Sequence, residues 1–239
     1  MRIAVISDIH ANLEATEACF KKIDELKPDE IVCLGDMVDY GVQPNECVDI
    51  IRSRVKHVVL GNHDEAQFDY EVAEGFSDNA HVSSLHTRTI INKEHVEYFK
   101  TLPRTLKLKN LFFVHGSPSE PEYYSYVLTP YMAEMNFPYF KEQICFIGHS
   151  HLPVIFEQNM YDVRETEQDF LDPLKRYIIN VGSVGQPRDR DPRLSFGLLD
   201  TKTCKYVNVR VKYDVDSAAK KIKNAGLPSA LAERLFAGK

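Results

Sequence analysis

Five residues, Leu60-Gly61-Asn62-His63-Asp64, place three polar side chains at the end of an apolar run, Val58-Val59-Leu60. Asn62 offers a neutral carbonyl oxygen suited to a hard or borderline cation. His63 can move a proton near neutral pH. Asp64 can orient an imidazole and favour its charged form. The same residue types are common in ordinary turns, so the stretch gains meaning only from others like it. Asp8 and His10 follow the apolar residues 3–6, and Asp36 follows residues 30–34. His115 follows residues 111–114, and His149 and His151 follow residues 144–147. Each polar group stands where an apolar run ends.

Leaving His63 aside, the set holds two carboxylates, one amide and four imidazoles. Such an O/N-rich mixture suits Mn, Fe, Co, Ni or Zn better than Ca or Mg alone. It offers more ligands than one catalytic ion that also holds water can use. Two divalent ions sharing a bridging carboxylate fit it. Histidines two apart on extended backbone point to opposite faces. His149 and His151 therefore reach one ion only if the backbone turns, or two ions if it does not.

The elements that carry these groups read as alternating strands and helices. Residues 3–6, 30–34 and 56–60 are short, apolar, strand-like runs. Between them, residues 12–26 repeat apolar positions at helical spacing behind a fair N-cap, Asn12, and a Pro44-led helix covers about 45–52. Strand–helix–strand–helix–strand predicts a parallel sheet with right-handed crossovers. In such sheets ligands bind at the carboxyl ends of the strands. Further on, residues 65–101 read as helical with polar loops, and 105–109 with 111–114 as a hairpin. Residues 117–130 read as an irregular loop, 131–137 as a short helix and 144–147 as a strand. The polar stretch 159–175 reads as a hairpin tip or mobile loop, and 176–180 as a strand before the turn-rich 182–188. Strands at 195–199 and 205–211 and helices at 216–223 and 229–236 complete the reading. No repeat, low-complexity tract or linker divides the chain, so residues 1–239 are expected to form one domain.

Bulk properties narrow the function. With 44% hydrophobic residues a sizeable core can form, and a net charge of −6 gives no general attraction to nucleic acid or anionic membrane. The cysteines at 19, 33, 47, 145 and 204 form no Cys-x-x-Cys pair and read as reduced thiols of a cytoplasmic protein. No signal peptide and no stretch of transmembrane length is visible.

The ordered motifs Asp8-x-His10, Gly35-Asp36, Gly61-Asn62-His63-Asp64, His115 and Gly148-His149-Ser150-His151 resemble those of the calcineurin-like metallophosphoesterases across nearly the whole chain. Residues 180–189 further resemble the small prokaryotic phosphodiesterase-like branch. The resemblance implies an α/β fold, a two-sheet β-sandwich flanked by helices in four layers. It also implies a hydrolase that attacks phosphodiesters or phosphomonoesters with metal-activated hydroxide. Asp8, His10, Asp36 and His151 would bind the first ion. Asp36 would bridge to the second, completed by Asn62, His115 and His149. His63 would be the acid, oriented by Asp64. The expected substrate is a small phosphoester.

One departure bears on specificity. The protein serine/threonine phosphatases and dinucleoside tetraphosphate hydrolases of this superfamily have Arg in Gly-Asp-x-x-Asp-Arg-Gly, where this chain has Tyr40 in Gly35-Asp36-Met37-Val38-Asp39-Tyr40-Gly41. The substitution argues against both activities, which remain alternatives, as does a non-catalytic interaction module on the same fold. Complete metal ligands argue against that module. Arg188, beyond the glycine turns and Pro187, is the expected phosphate grip, steadied by Asp189, with Arg190 and Arg193 as rivals.

Overall fold

Runs such as Ile3-Ala4-Val5-Ile6 and Leu111-Phe112-Phe113-Val114 are too continuously apolar for strands with one wet face, and both of their faces are buried. The computed structural model describes residues 1–160 and 162–239. Its first half runs β1 (Arg2–Ile6), α1 (Leu13–Leu26), β2 (Glu30–Cys33), α2 (Pro44–Arg54), β3 (His57–Val58), α3 (Asn62–Glu65), α4 (Asp78–Ile90), α5 (Lys93–Lys100), β4 (Thr105–Leu108) and β5 (Leu111–Val114). Its second half runs α6 (Pro130–Asn136), β6 (Ile144–Ile147), β7 (Val154–Gln158), β8 (Val163–Thr166), β9 (Arg176–Asn180), β10 (Leu194–Asp200), β11 (Lys205–Val211), α7 (Val215–Asn224) and α8 (Ser229–Ala237).

The strands form two mixed sheets, ordered β11-β10-β1-β2-β3 and β4-β5-β6-β9-β7-β8. Period-two alternation divides each apolar run between two cores. Ile3, Val5, Phe113, Phe146, Tyr177 and Ile179 meet between the sheets. Ala4 and Ile6 face the helices α1 and α2, while Phe112, Cys145 and Ile178 face the side covered by α6. Phe113 and Phe146 stack at 5.5 Å, and burying one such ring is worth about 1.5–3 kcal/mol. The result is the four-layer sandwich that the motif resemblance implies.

Several boundaries differ from the sequence reading. Strand β3 stops at Val58, because Leu60 donates its N–H to the Pro103 carbonyl (2.9 Å) and the chain turns away into α3. The helical stretch 65–101 divides into α4, α5 and a 3₁₀ turn at Glu71–Gly75. The polar stretch 159–175, read as a hairpin tip or mobile loop, belongs in part to a hairpin, since β8 lies in it and pairs antiparallel with β7 at the edge of the second sheet. The part of that expectation that falls on Tyr161 lies outside the described residues.

Parallel pairing matters most for function. Strands β1, β2 and β3 run parallel, as do β5, β6 and β9 in the other sheet. Their carboxyl ends therefore emerge on one edge of the sandwich, and the loops that follow them meet there. No helix among the described residues is long and apolar enough to cross a membrane.

Candidate metal centre

The loops after the parallel strands hold their polar residues in left-handed backbone. Asp8, His10, Asp36, Asp39, Tyr40, His149 and His151 all have φ between 50° and 68°. That conformation is uncommon for residues other than glycine and concentrates at functional sites. Gly61 permits a close approach, because a Cβ there would stand 2.2 Å from Asp36 Oδ1. The chain turns at both His149 and His151, yet their rings go to different groups of ligands.

Two clusters result. Asp8, His10 and His151 offer ligand atoms within 4.8 Å of one another, and so do Asp36, His115 and His149. They adjoin: His10 Nε2 lies 3.8 Å from Asp36 Oδ2, and His115 Nε2 lies 4.0 Å from Asp8 Oδ1; within the second cluster His115 Nε2 is 3.2 Å from Asp36 Oδ2. Asn62 Oδ1 stands 3.1 Å from His115 Nε2. The structure thus gathers all seven residues singled out as metal ligands.

Three of the imidazoles are oriented by backbone carbonyls. The Nδ1 atoms of His10, His115 and His151 lie 2.9, 2.7 and 2.6 Å from the carbonyl oxygens of Val38, Leu34 and Gln186. Each Nδ1 donates there and leaves Nε2 facing inward, the usual geometry of metal-ligating histidine. Burial, with His151 as a neighbour, holds His10 well below the ordinary imidazole range. Burial and Arg188 do the same to His151. Both rings are neutral, so two Nε2 lone pairs face each other at 3.0 Å. Two acceptors at that distance repel unless a cation lies against both. This donor set fits a metal ion. Burial, helped by His115, pushes His149 down to about 3, again a neutral base. Burial would also lower His115, but the charge and hydrogen bond of Asp36 outweigh it and push His115 up to about 9.

His63 stands beside the clusters, its ring 5.0 Å from that of His10. Its orienting partner is not Asp64. Neighbouring residues on α3 point about 100° apart, and Asp64 turns back to accept the N–H groups of Asp36 and Met37, each at 2.8 Å, and of Gly61 at 3.3 Å. Asp39, which the sequence reading left without a role, accepts His63 Nδ1 at 2.7 Å. Burial lowers His63, but Asp36 and the bond to Asp39 raise it further, for a net upward shift. Gln67 donates to Asp39 Oδ1 and braces the pair. Asp39 matches the second Asp of the Gly-Asp-x-x-Asp pattern, and that match is its signal in the sequence.

A cleft of about 980 Å³ opens over the clusters. Asp36, Asn62, His63, His149 and His151 line it, together with Arg104, Arg188 and Arg234. Arg188 lies over the ring of Tyr40, 5.6 Å from its centroid. Gln186 Oε1, rather than Asp189, accepts from its guanidinium at 3.0 Å. Asp189 pairs instead with Arg210, and Arg193 with Asp191. Arg104 is held by Glu65 and Tyr124. Neither Arg104 nor Arg234 stood out in the sequence.

A family profile described as the calcineurin-like phosphoesterase superfamily domain matches residues 1–204. The chain belongs to this superfamily. It is a hydrolase acting on phosphoric ester bonds. This phosphoesterase is 39% identical over 241 residues to the uncharacterized protein MJ0912 of Methanocaldococcus jannaschii, covering 99% of this chain and 98% of that protein. It is similar to the crystal structure of a metallophosphoesterase from Sphaerobacter thermophilus, with 36% identity, TM-score 0.87 and coverage of 100% and 99% of the two chains. The fold is shared with hypothetical protein PH1004 from Pyrococcus horikoshii OT3 at 23% identity and TM-score 0.82, covering 100% and 98%. In this superfamily member the two clusters are candidate divalent-metal sites.

Proposed function

We propose that this protein is a cytoplasmic, dinuclear-metal phosphoesterase that hydrolyses a phosphodiester or phosphomonoester bond of a small molecule. The observation that carries the reading is the pair of confronted Nε2 atoms of His10 and His151 beside a second cluster built around Asp36. Asp8, His10, Asp36 and His151 would hold the first ion, and Asp36, Asn62, His115 and His149 the second. The ions are drawn from Mn, Fe, Co, Ni and Zn, with manganese the first to try. When bound, they supply a water nucleophile active near pH 7 and neutralise charge on the phosphoryl group.

The remaining roles fall to the chain. Asp36 accepts the His63 N–H at 2.9 Å, which ties the bridging carboxylate to the start of α3. The His63 ring, held at Nδ1 by Asp39, presents Nε2 towards the cleft and gives a proton to the leaving oxygen. The raised His63 pKa keeps that proton available. Arg188 grips a phosphoryl oxygen in place of the arginine that Tyr40 replaces.

Elemental analysis of freshly purified protein tests this reading. Up to two transition-metal ions per chain are expected, with hydrolysis of 4-nitrophenyl phosphoesters lost on chelation and restored by manganese. Activity that survives thorough chelation overturns it.

A further inference from the structure

The helices α7 and α8 belong to the part of the chain that follows the family match at residue 204. They pack on each other through Ala218, Ala219, Ile222, Leu231, Ala232 and Leu235, and Tyr40 joins the same cluster. Since Tyr40 also touches His10 and His63, at ring distances of 4.5 and 4.8 Å, the helical pair is seated against the metal centre. Its last turn is pinned as well. The Gly238 carbonyl accepts the Arg190 N–H at 2.7 Å, and a Cβ on Gly238 would stand 2.6 Å from the Asp191 nitrogen. Thus the end of α8 is fastened to the loop that carries Arg188.

Arg234 lies on that last turn, its carbonyl accepting from the Gly238 N–H. It is half-buried and lines the same cleft as Asp36 and His63. Its guanidinium has no carboxylate partner among the described residues, whereas those of Arg52, Arg54, Arg104, Arg193 and Arg210 each have one. Arg188, which lines the same cleft, also has only neutral partners, Gln186 and Tyr40. A partly desolvated cation without a counter-charge favours an anion from outside. One phosphoryl group does not fill a cleft of about 980 Å³, a volume typical of sites that enclose a whole small molecule. Asp69, Glu71 and Glu122 also border the cleft and repel an anion placed near them. Of the three arginines that line the cleft, Arg104 is paired with Glu65, which leaves Arg188 for the reacting phosphoryl group and Arg234 for a second negative group.

We propose that Arg234 is a specificity residue that binds a second anionic group of the substrate, so that the preferred substrates are phosphoesters whose leaving group carries a further phosphate or carboxylate. The inference rests on the phosphoesterase reading, with the reacting phosphoryl group at the metal centre.

The test compares adenosine 3′,5′-bisphosphate with adenosine 5′-monophosphate, which differ by one phosphate. Binding to the manganese-loaded protein is measured by calorimetry, and kcat/KM is measured separately. The wild-type protein should favour the bisphosphate. Arg234→Gln should cut that preference by about 10- to 100-fold, as for the loss of a charged hydrogen bond. Arg234→Lys should restore part of it, since the charge remains while the planar fork is lost. A preference equal in wild type and Arg234→Gln overturns the assignment, even with both compounds hydrolysed, and leaves the phosphoesterase reading intact. A preference that falls in Arg234→Gln while neither compound is turned over supports the second-anion site and counts against the reading of the reaction.

Discussion

Glu157 and Asp36 are both carboxylates buried to within 1% of full enclosure, but their charges are balanced from opposite directions. Glu157, on β7, accepts from Arg164 at 3.0 Å, Lys175 at 2.8 Å, Gln168 at 2.6 Å and the Tyr177 hydroxyl at 3.2 Å. The protein's own cations neutralise it, and the cluster ties β7, β8 and β9 together. Around Asp36 and Asp8 there is no lysine or arginine within ion-pair reach among the described residues, only imidazoles and backbone N–H groups. A buried charge cluster neutralised from within is structural. One left short of positive charge takes it from what it binds.

The strongest way to break this contrast is to remove one charge from each cluster. Asp36→Asn should lower the content of both metal ions and reduce hydrolysis to background. In chelated protein it should also be less stable than wild type, because, against the effect of burial, His115 and His63 hold the Asp36 carboxyl well below the ordinary carboxylate range and its charge supports the fold. Retention of both ions and of turnover would remove Asp36 from the bridging position.

His63 sharpens the comparison, for it lies at the candidate metal centre without belonging to either cluster. His63→Ala should keep its metal and lose about 10²–10⁴-fold in turnover. Asp39→Asn should reproduce part of that loss. Asp64→Asn should act differently, on stability or metal content, because it disturbs the N–H groups of Asp36, Met37 and Gly61. The orientation by Asp39 fails if Asp64→Asn alone mimics His63→Ala.

The smallest effect belongs to the internally neutralised cluster. Glu157→Gln should cost about 1–3 kcal/mol of stability, towards the lower end because Arg164 is 59% exposed, with metal content unchanged. Burial raises the Glu157 pKa, but the bonds from Lys175, Arg164 and Gln168 outweigh it and leave the folded value below the ordinary 4.5. Its contribution is therefore complete above about pH 4.5 and is lost as pH falls through the lower folded value. Denaturation of both proteins against pH should show the difference closing in acid. A constant difference would mean that the charge of Glu157 contributes nothing.

Strand ends were legible because each parallel strand is a continuous apolar run with a polar group at its exit. That pattern located Asp8, Asp36, His115 and His149 before any fold was known. The edge was less legible. Strand β8 is Val163-Arg164-Glu165-Thr166, exposed in its middle, so its composition is that of a loop and only pairing with β7 makes it a strand. Orientation was hardest to read. Asp64 follows His63 in sequence, and Asp189 follows Arg188, but neither touches its neighbour's side chain in the manner expected. Helical rotation turns Asp64 away, and Arg210 from β11 claims Asp189. Long-range partners such as Arg234, on the last helix, have no local signature at all.

The carbonyl anchors on His10, His115 and His151 have a further consequence. Each ring bonds to backbone from a different segment, at Val38, Leu34 and Gln186, so the rings act as rivets between strand ends as well as donors. Their aim is set by the scaffold before any ion arrives. Removing the metal should therefore leave the three rings where they are, so that the apoprotein keeps the geometry of the loaded site.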